Sequence, residues 1–341
     1  MSDTPERTDA AGESPRFDRP IIIVSSPRSG SSLLFETLAK SPTVYSLGGE
    51  SHALFEAFPP LRPAARDFES NRLTEADATP DLGQRIQDAF MMNIKGRAGQ
   101  RPPANNEPLR LLEKTPKNAL RIPFIKAIFP TARFVYLYRD PRETISSMLD
   151  AWRSGKFVTY PQLPGWGEPS WSLLLTPGWR EWIGRPLAEV VARQWETTTR
   201  LLLDDLERLP SDTWCVASYD QLVNDAQGEI DRLCAFLGIE WDQPLQGPLP
   251  LSRHTLTSPA PDKWRHNAAD LRPVMPLVLE TAQRARDLFA RAPAMRPAQP
   301  RSPAQAPASP RAAAPAHPGT TAPSVKVRAP VVPAGEFKGR F

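Results

Sequence analysis

Several short clusters in this 341-residue chain combine residue types that could do chemistry. The first is Ser25-Ser26-Pro27-Arg28-Ser29-Gly30-Ser31-Ser32. Set against the phosphate-loop pattern GxxxxGK[ST], Gly30 falls on the second glycine and Ser32 on the final hydroxyl residue. Ser25 stands where the first glycine belongs, and Ser31 replaces the lysine. Backbone N–H groups around Arg28–Ser32, at the start of a helix, would still cradle an anion. Arg28 would supply the missing positive charge. The second cluster is Arg139 with Ser147, eight residues on. A guanidinium fork with a hydroxyl two helical turns away makes a clamp for a monophosphate. The third, Gly48-Gly49-Glu50-Ser51-His52, offers two candidate general bases behind glycines that let the backbone approach a ligand. The fourth is Lys114, at the end of an apolar run.

These residues need elements to hold them. Ile21-Ile22-Ile23-Val24 is a continuous β-branched run, as expected of a strand buried on both faces. The serine-rich loop follows, and then Leu33, Leu34 and Leu38 at helical spacing. Arg133–Tyr138 is a second strand; Asp140 suits an N-cap and Pro141 the first helical turn. The pattern predicts helices near 81–95, 117–129, 187–208 and 226–237, the last stopped by Gly238. Further strands are predicted at 109–112 and 214–217. Alternating strands and helices predict an α/β, P-loop-like three-layer fold with a central parallel sheet flanked by helices. The segment 152–180 holds Trp152, Trp166, Trp171 and Trp179 among Pro and Gly. It is expected to be a lid or an acceptor-side insertion.

Arg139, not a carboxylate, ends the strand Arg133–Tyr138, so no magnesium ligand is read there and no metal is expected. A phosphate loop without lysine or metal suits a donor whose transferred group is not a γ-phosphoryl. With these residues in view, the chain resembles the sulfotransferases that use 3′-phosphoadenosine 5′-phosphosulfate (PAPS), closest to the tyrosylprotein sulfotransferase-like branch. Pro27-Arg28-Ser29-Gly30-Ser31-Ser32 is similar to the family's 5′-phosphosulfate loop, P-[KR]-S-G-[ST]-[ST]. Arg139 and Ser147 match the pair that holds the 3′-phosphate. Asp262-Lys263-Trp264-Arg265 resembles a C-terminal Lys-Trp segment near the nucleotide. Ser218-Tyr219-Asp220-Gln221-Leu222 resembles a stretch whose tyrosine lies beside it. The resemblance covers about residues 20–270. It implies Glu50 as general base, with His52 the alternative, and Lys114 with Arg28 as stabilisers of the transferring group. A carboxylate is a weak base unless burial raises its pKa, and an apolar pocket is expected to do so here. PAPS would be the co-substrate; a hydroxyl or amine on a small molecule, lipid, natural product or peptide would be the acceptor.

Composition bounds the rest. The chain is 40% hydrophobic and 23% charged, within the globular range, but has 40 prolines. Residues 293–341 are mostly Pro and Ala, expected to be a disordered basic tail. They hold seven Lys or Arg against one Glu, a net +6, so the remaining residues carry −2 of the chain's +4. A nucleic-acid surface is not expected of a body so near neutral. Residues 1–19 read as a flexible leader, leaving 20–292 as the catalytic domain. No apolar run spans a bilayer, and Cys215 and Cys234 sit in apolar runs that suit buried thiols, so a cytoplasmic setting is expected. Two other functions fit parts of the pattern: a P-loop kinase-like phosphotransferase, or a nucleotide-binding scaffold whose Pro-rich tail recruits a partner.

Overall fold

The computed structural model describes residues 16–291, except positions 106, 257, 259 and 261. The tail 293–341 and most of the leader lie outside the described residues. The leader ends earlier than expected, because Phe17 is buried and bridges Leu109.

Five parallel strands form the centre: β1 (Ile21–Val24), β2 (Val44–Tyr45), β3 (Arg110–Lys114), β4 (Arg133–Tyr138) and, after the hairpin described below, β7 (Trp214–Ser218). Their order is β2-β3-β1-β4-β7. All of β1 is buried, as its unbroken β-branched run requires. The strand period of two then sorts its side chains. Ile22 and Val24 join the core on one face, Ile21 and Ile23 the core on the other.

The first face is covered by α2 (His52–Glu56), α3 (Pro80–Asn93), α4 (Ile122–Ile128), α6 (Leu187–Glu207) and α10 (Met275–Arg291). The second is covered by α1 (Ser31–Leu38), α7 (Tyr219–Asn224) and α8 (Ala226–Leu237). The helix α5 (Pro141–Ser154) leaves the end of β4, and the short α9 (Ala268–Leu271) precedes α10. The three-layer α/β fold with a central parallel sheet is therefore as the pattern predicted. Asp140 caps α5 by accepting from the Arg142 N–H, and Gly238 ends α8 with φ 66°. The helix predicted over 117–129 divides into a 3₁₀ turn, Pro116–Leu120, and α4. Arg121 between them has φ −131°, outside the helical range, and each piece starts with proline in its first turn.

The insertion forms a small antiparallel hairpin, β5 (Val158–Tyr160) with β6 (Trp171–Ser172). Three of its four named tryptophans are core, and Trp166 is half-buried against them. Trp152, Trp171 and Trp179 are at most 1% exposed and pack edge to face, with Trp152 and Trp171 centroids 5.2 Å apart. Each indole N–H has a partner: Trp152 donates to Gln194, Trp171 to the Leu174 carbonyl and Trp179 to the Phe68 carbonyl. Satisfied N–H groups let such large rings be fully buried.

Candidate active site

In an open parallel sheet, ligands bind beyond the carboxyl ends of the strands, where the strand order reverses. Here the ends of β1, β3, β4 and β7 converge on a cleft of about 430 Å³. It is lined by Arg28, Gly30, Ser31, Ser32, Glu50, His52, Arg139, Ser147, Tyr219, Lys263 and Trp264, so the separate sequence clusters meet in one place. Ser29 and Lys114 are the exceptions: each is 3% exposed and neither lines the cleft.

The loop after β1 is shaped by two left-handed residues, Arg28 at φ 68° and Gly30 at φ 95°. Gly30 cannot carry a side chain, for a Cβ there would lie 2.4 Å from Cδ2 of Tyr219. Tyr219 packs against the loop while the Arg139 guanidinium lies over its ring, 4.3 Å from the centroid. Helix α1 begins at Ser31; the Leu33 and Leu34 N–H groups donate to the Gly30 carbonyl, which leaves those of Ser31 and Ser32 at the helix start to receive an anion. Ser26 hydrogen-bonds Thr199 of α6 at 2.7 Å and fixes the loop's near end.

Arg139 donates to Glu143 at 2.9 Å and to the Arg28 carbonyl at 3.1 Å, which links the two guanidinium-bearing segments. Arg28 donates to the His254 carbonyl at 3.0 Å and covers the Phe157 ring at 4.5 Å. Its Nε is buried with no partner among the described residues. Burial, helped by the neighbouring charge of Arg139, lowers the Arg28 pKa. Trp264 lies beneath Arg142, 5.0 Å from its ring centroid.

Lys114, at the end of β3, is only 3% exposed rather than solvated. Its Nζ donates to Glu50 Oε1 at 2.6 Å and to Ser32 Oγ at 3.0 Å. His52 Nε2 lies 2.7 Å from Glu50 Oε2. An ionised carboxylate can only accept, so Nε2 carries the proton in this pair. The expected rise in Glu50's pKa is reversed. Burial pushes it up, but the hydrogen bond from His52 and the charge and hydrogen bond of Lys114 together outweigh burial and hold it at about 2.

Beneath this pair lies a buried network that the sequence reading did not find. Ser51 donates its hydroxyl to Glu113 at 2.6 Å and its N–H to Thr115 at 2.7 Å. Asn118 donates to the same Glu113 oxygen at 3.0 Å. Burial raises the Glu113 pKa against these bonds. The network joins the residue after Glu50 to the residues on either side of Lys114, and so sets the separation between them. An alternating buried polar strand end, Glu113-Lys114-Thr115, was the available signal.

The cleft's other wall combines the insertion with a segment that the sequence reading did not place. Phe157, Thr159, Leu173 and Leu174 come from the insertion, and 248–256 crosses over as a strap. His254 and His266, which had no assigned place, both line the cleft; His266 is held by Asp150 at 3.0 Å.

A family model described as "Sulfotransferase family" matches residues 20–243. This chain belongs to the sulfotransferase family. The sulfotransferase is 25% identical over 224 residues to protein-tyrosine sulfotransferase A of Caenorhabditis elegans, covering 65% of this chain and 50% of that protein. It is 30% identical over 134 residues to protein-tyrosine sulfotransferase 1 of Danio rerio, covering 39% and 36%. It thus spans about half or less of the length of these two relatives. Among solved structures it is similar to a sulfotransferase domain from the curacin biosynthetic pathway, with TM-score 0.44 and 19% identity over 81% of this chain and 98% of that one.

Proposed function

We propose that this sulfotransferase moves a sulfuryl group from PAPS to a hydroxyl or amine acceptor, with Glu50 as the base. The observation that carries this reading is the position of Lys114. One buried ammonium bridges a candidate base and the first turn of the anion-binding helix.

The residues present fit a donor with two anionic ends. Arg28 keeps a buried Nε without a partner among the described residues. The N–H groups at the start of α1 would hold the 5′ end. Arg139 and Ser147 would hold the 3′-phosphate, with Tyr219, Lys263 and Trp264 around the nucleoside. PAPS supplies an activated sulfuryl group and departs as the 3′,5′-bisphosphate.

Glu50 accepts the acceptor's proton as the acceptor oxygen attacks sulfur. Held at about 2, it is ionised throughout the neutral range but weakly basic. Lys114 can relieve this. An anion beside Ser32 competes with Glu50 for the ammonium, and each step of Lys114 away from Glu50 strengthens the base. The same ammonium, with Arg28, then stands against the charge that develops on the transferring group. The relatives' names bring a protein tyrosine forward as one acceptor to test.

The test is calorimetric titration with 3′-phosphoadenosine 5′-phosphate and, in parallel, with ATP, both without magnesium. Tight binding of the first and little of the second is expected. Arg139→Ala should weaken the bisphosphate about tenfold or more, and an analogue lacking the 3′-phosphate much less. Equal losses would remove Arg139 from the clamp, and no bisphosphate binding would overturn the donor reading.

A further inference from the structure

We propose that the acceptor is an uncharged alcohol or phenol with an apolar body, seated between the insertion and the 248–256 strap with its hydroxyl at Glu50. This rests on the transfer reading above.

The strap is fastened directly over the base. Arg253 donates to the Gly48 carbonyl at 2.9 Å and to Glu36 at 2.8 Å, while Arg28 holds the His254 carbonyl on the other side. Between these ties the strap brings Leu249, Leu251 and Leu256 to the cleft. Leu251 is 59% exposed, an apolar side chain left at the rim of a polar site. The facing wall is Phe157, Leu173 and Leu174. Leu173 donates its N–H to the Phe157 carbonyl at 3.0 Å and takes a left-handed φ of 65°. A branched residue holds that conformation only when its surroundings impose it, and such strain gathers at ligand walls.

Charge points the same way. The cleft's cations are committed on or near the proposed donor side or to carboxylates. Lys117 is paired with Glu56 and His266 with Asp150. Arg28 and Arg139 meet at the phosphate loop, and Lys263 stands with Trp264. Burial lowers the pKa of His254, against the neighbouring charge of Glu50. Glu50 stands at the acceptor side of the cleft and would repel an anionic acceptor, whereas Glu143 is paired with Arg139 and Asp150 with His266. An apolar wall facing a carboxylate therefore selects a neutral occupant whose proton can be taken.

The experiment uses the full chain with radiolabelled PAPS and three kinds of acceptor: 4-alkylphenols of increasing chain length, linear alcohols, and a tyrosine peptide flanked by aspartates. For the phenols, kcat/KM should rise roughly threefold to fourfold per methylene until the pocket is filled. The acidic peptide should be at least tenfold poorer than the best phenol. Leu251→Glu should flatten the chain-length dependence while leaving calorimetric affinity for the bisphosphate unchanged. A peptide equal to or better than the phenols would overturn the proposal, as would a rate indifferent to chain length. If either occurs with bisphosphate binding intact, the acceptor class falls and the donor reading stands. Loss of bisphosphate binding by the unmodified protein would sink both.

Discussion

Arg28, Arg139 and Tyr219 reach the cleft from the ends of β1, β4 and β7, whereas Phe157, Leu173 and Leu251 reach it from segments outside the five-stranded sheet. The first group rides on strands whose register is fixed by neighbours, with Tyr138 opposite Ser218 and Val24 opposite Tyr136. The second is held by point contacts: Arg253 on Gly48, Arg28 on His254, and the Leu173 N–H on Phe157. A wall built on a sheet is specified by short contiguous motifs. A wall built from crossing loops depends on where distant segments land, so its composition can change without disturbing the other.

The proposed base and its ammonium lie where the two walls meet, and their removal gives the largest expected effect. Glu50→Gln should lower turnover by about 10²-fold or more and leave bisphosphate affinity within a factor of two. Steady-state rates with calorimetry check this; an unchanged rate would pass the role to His52. Lys114→Met should also cost on the order of 10²-fold. It should shift Glu50 as well. Lys114 and His52 hold this carboxyl at about 2 against burial, so loss of the ammonium raises its pKa. The acid limb of the rate profile should then move to higher pH. A limb that stays in place would mean Lys114 does not control the base.

Gly30→Ala tests the sheet-built wall alone. A methyl 2.4 Å from the Tyr219 ring, at φ 95°, should weaken bisphosphate binding about tenfold or more. The chain-length slope for the phenols should persist. A lost slope would show that the walls are not independent. The smallest effect is expected of Ser51→Ala, which removes one hydrogen bond from buried Glu113. Turnover should fall several-fold with bisphosphate affinity unchanged, and unfolding stability should fall by about 1–3 kcal/mol. Ser51→Thr, which keeps a hydroxyl, should restore most of the turnover. Lost stability with unchanged turnover would make the network structural only.

Much of the candidate site was legible because the proposed anion loop is built from local backbone. A strand, a serine-rich turn and a helix start are contiguous, and Arg139 and Ser147 are two helical turns apart. The place of the tryptophans was not legible, for a physical reason. Sequence shows an indole but not whether its N–H finds Gln194 or a carbonyl, and that decides between core and binding wall. Glu50's basicity was inverted for a similar reason. Two glycines suggested a pocket, but the groups that grip the carboxylate come from residue 114, far along the chain, and from His52 two positions on.

The sequence by itself determined the parallel α/β sheet, the anion loop that lacks its lysine, and the arginine–serine pair. Each is set by side-chain period, glycine or spacing within a few residues. Tertiary structure decided what closes over Glu50, what holds its charge, and that Glu113, Ser51 and Thr115 form one buried network. Those outcomes depend on segments up to roughly two hundred residues apart along the chain being brought within hydrogen-bonding reach of each other, as with Arg253 and Gly48. No local pattern encodes such a contact, because the two partners meet only once the sheet has folded and carried their segments together.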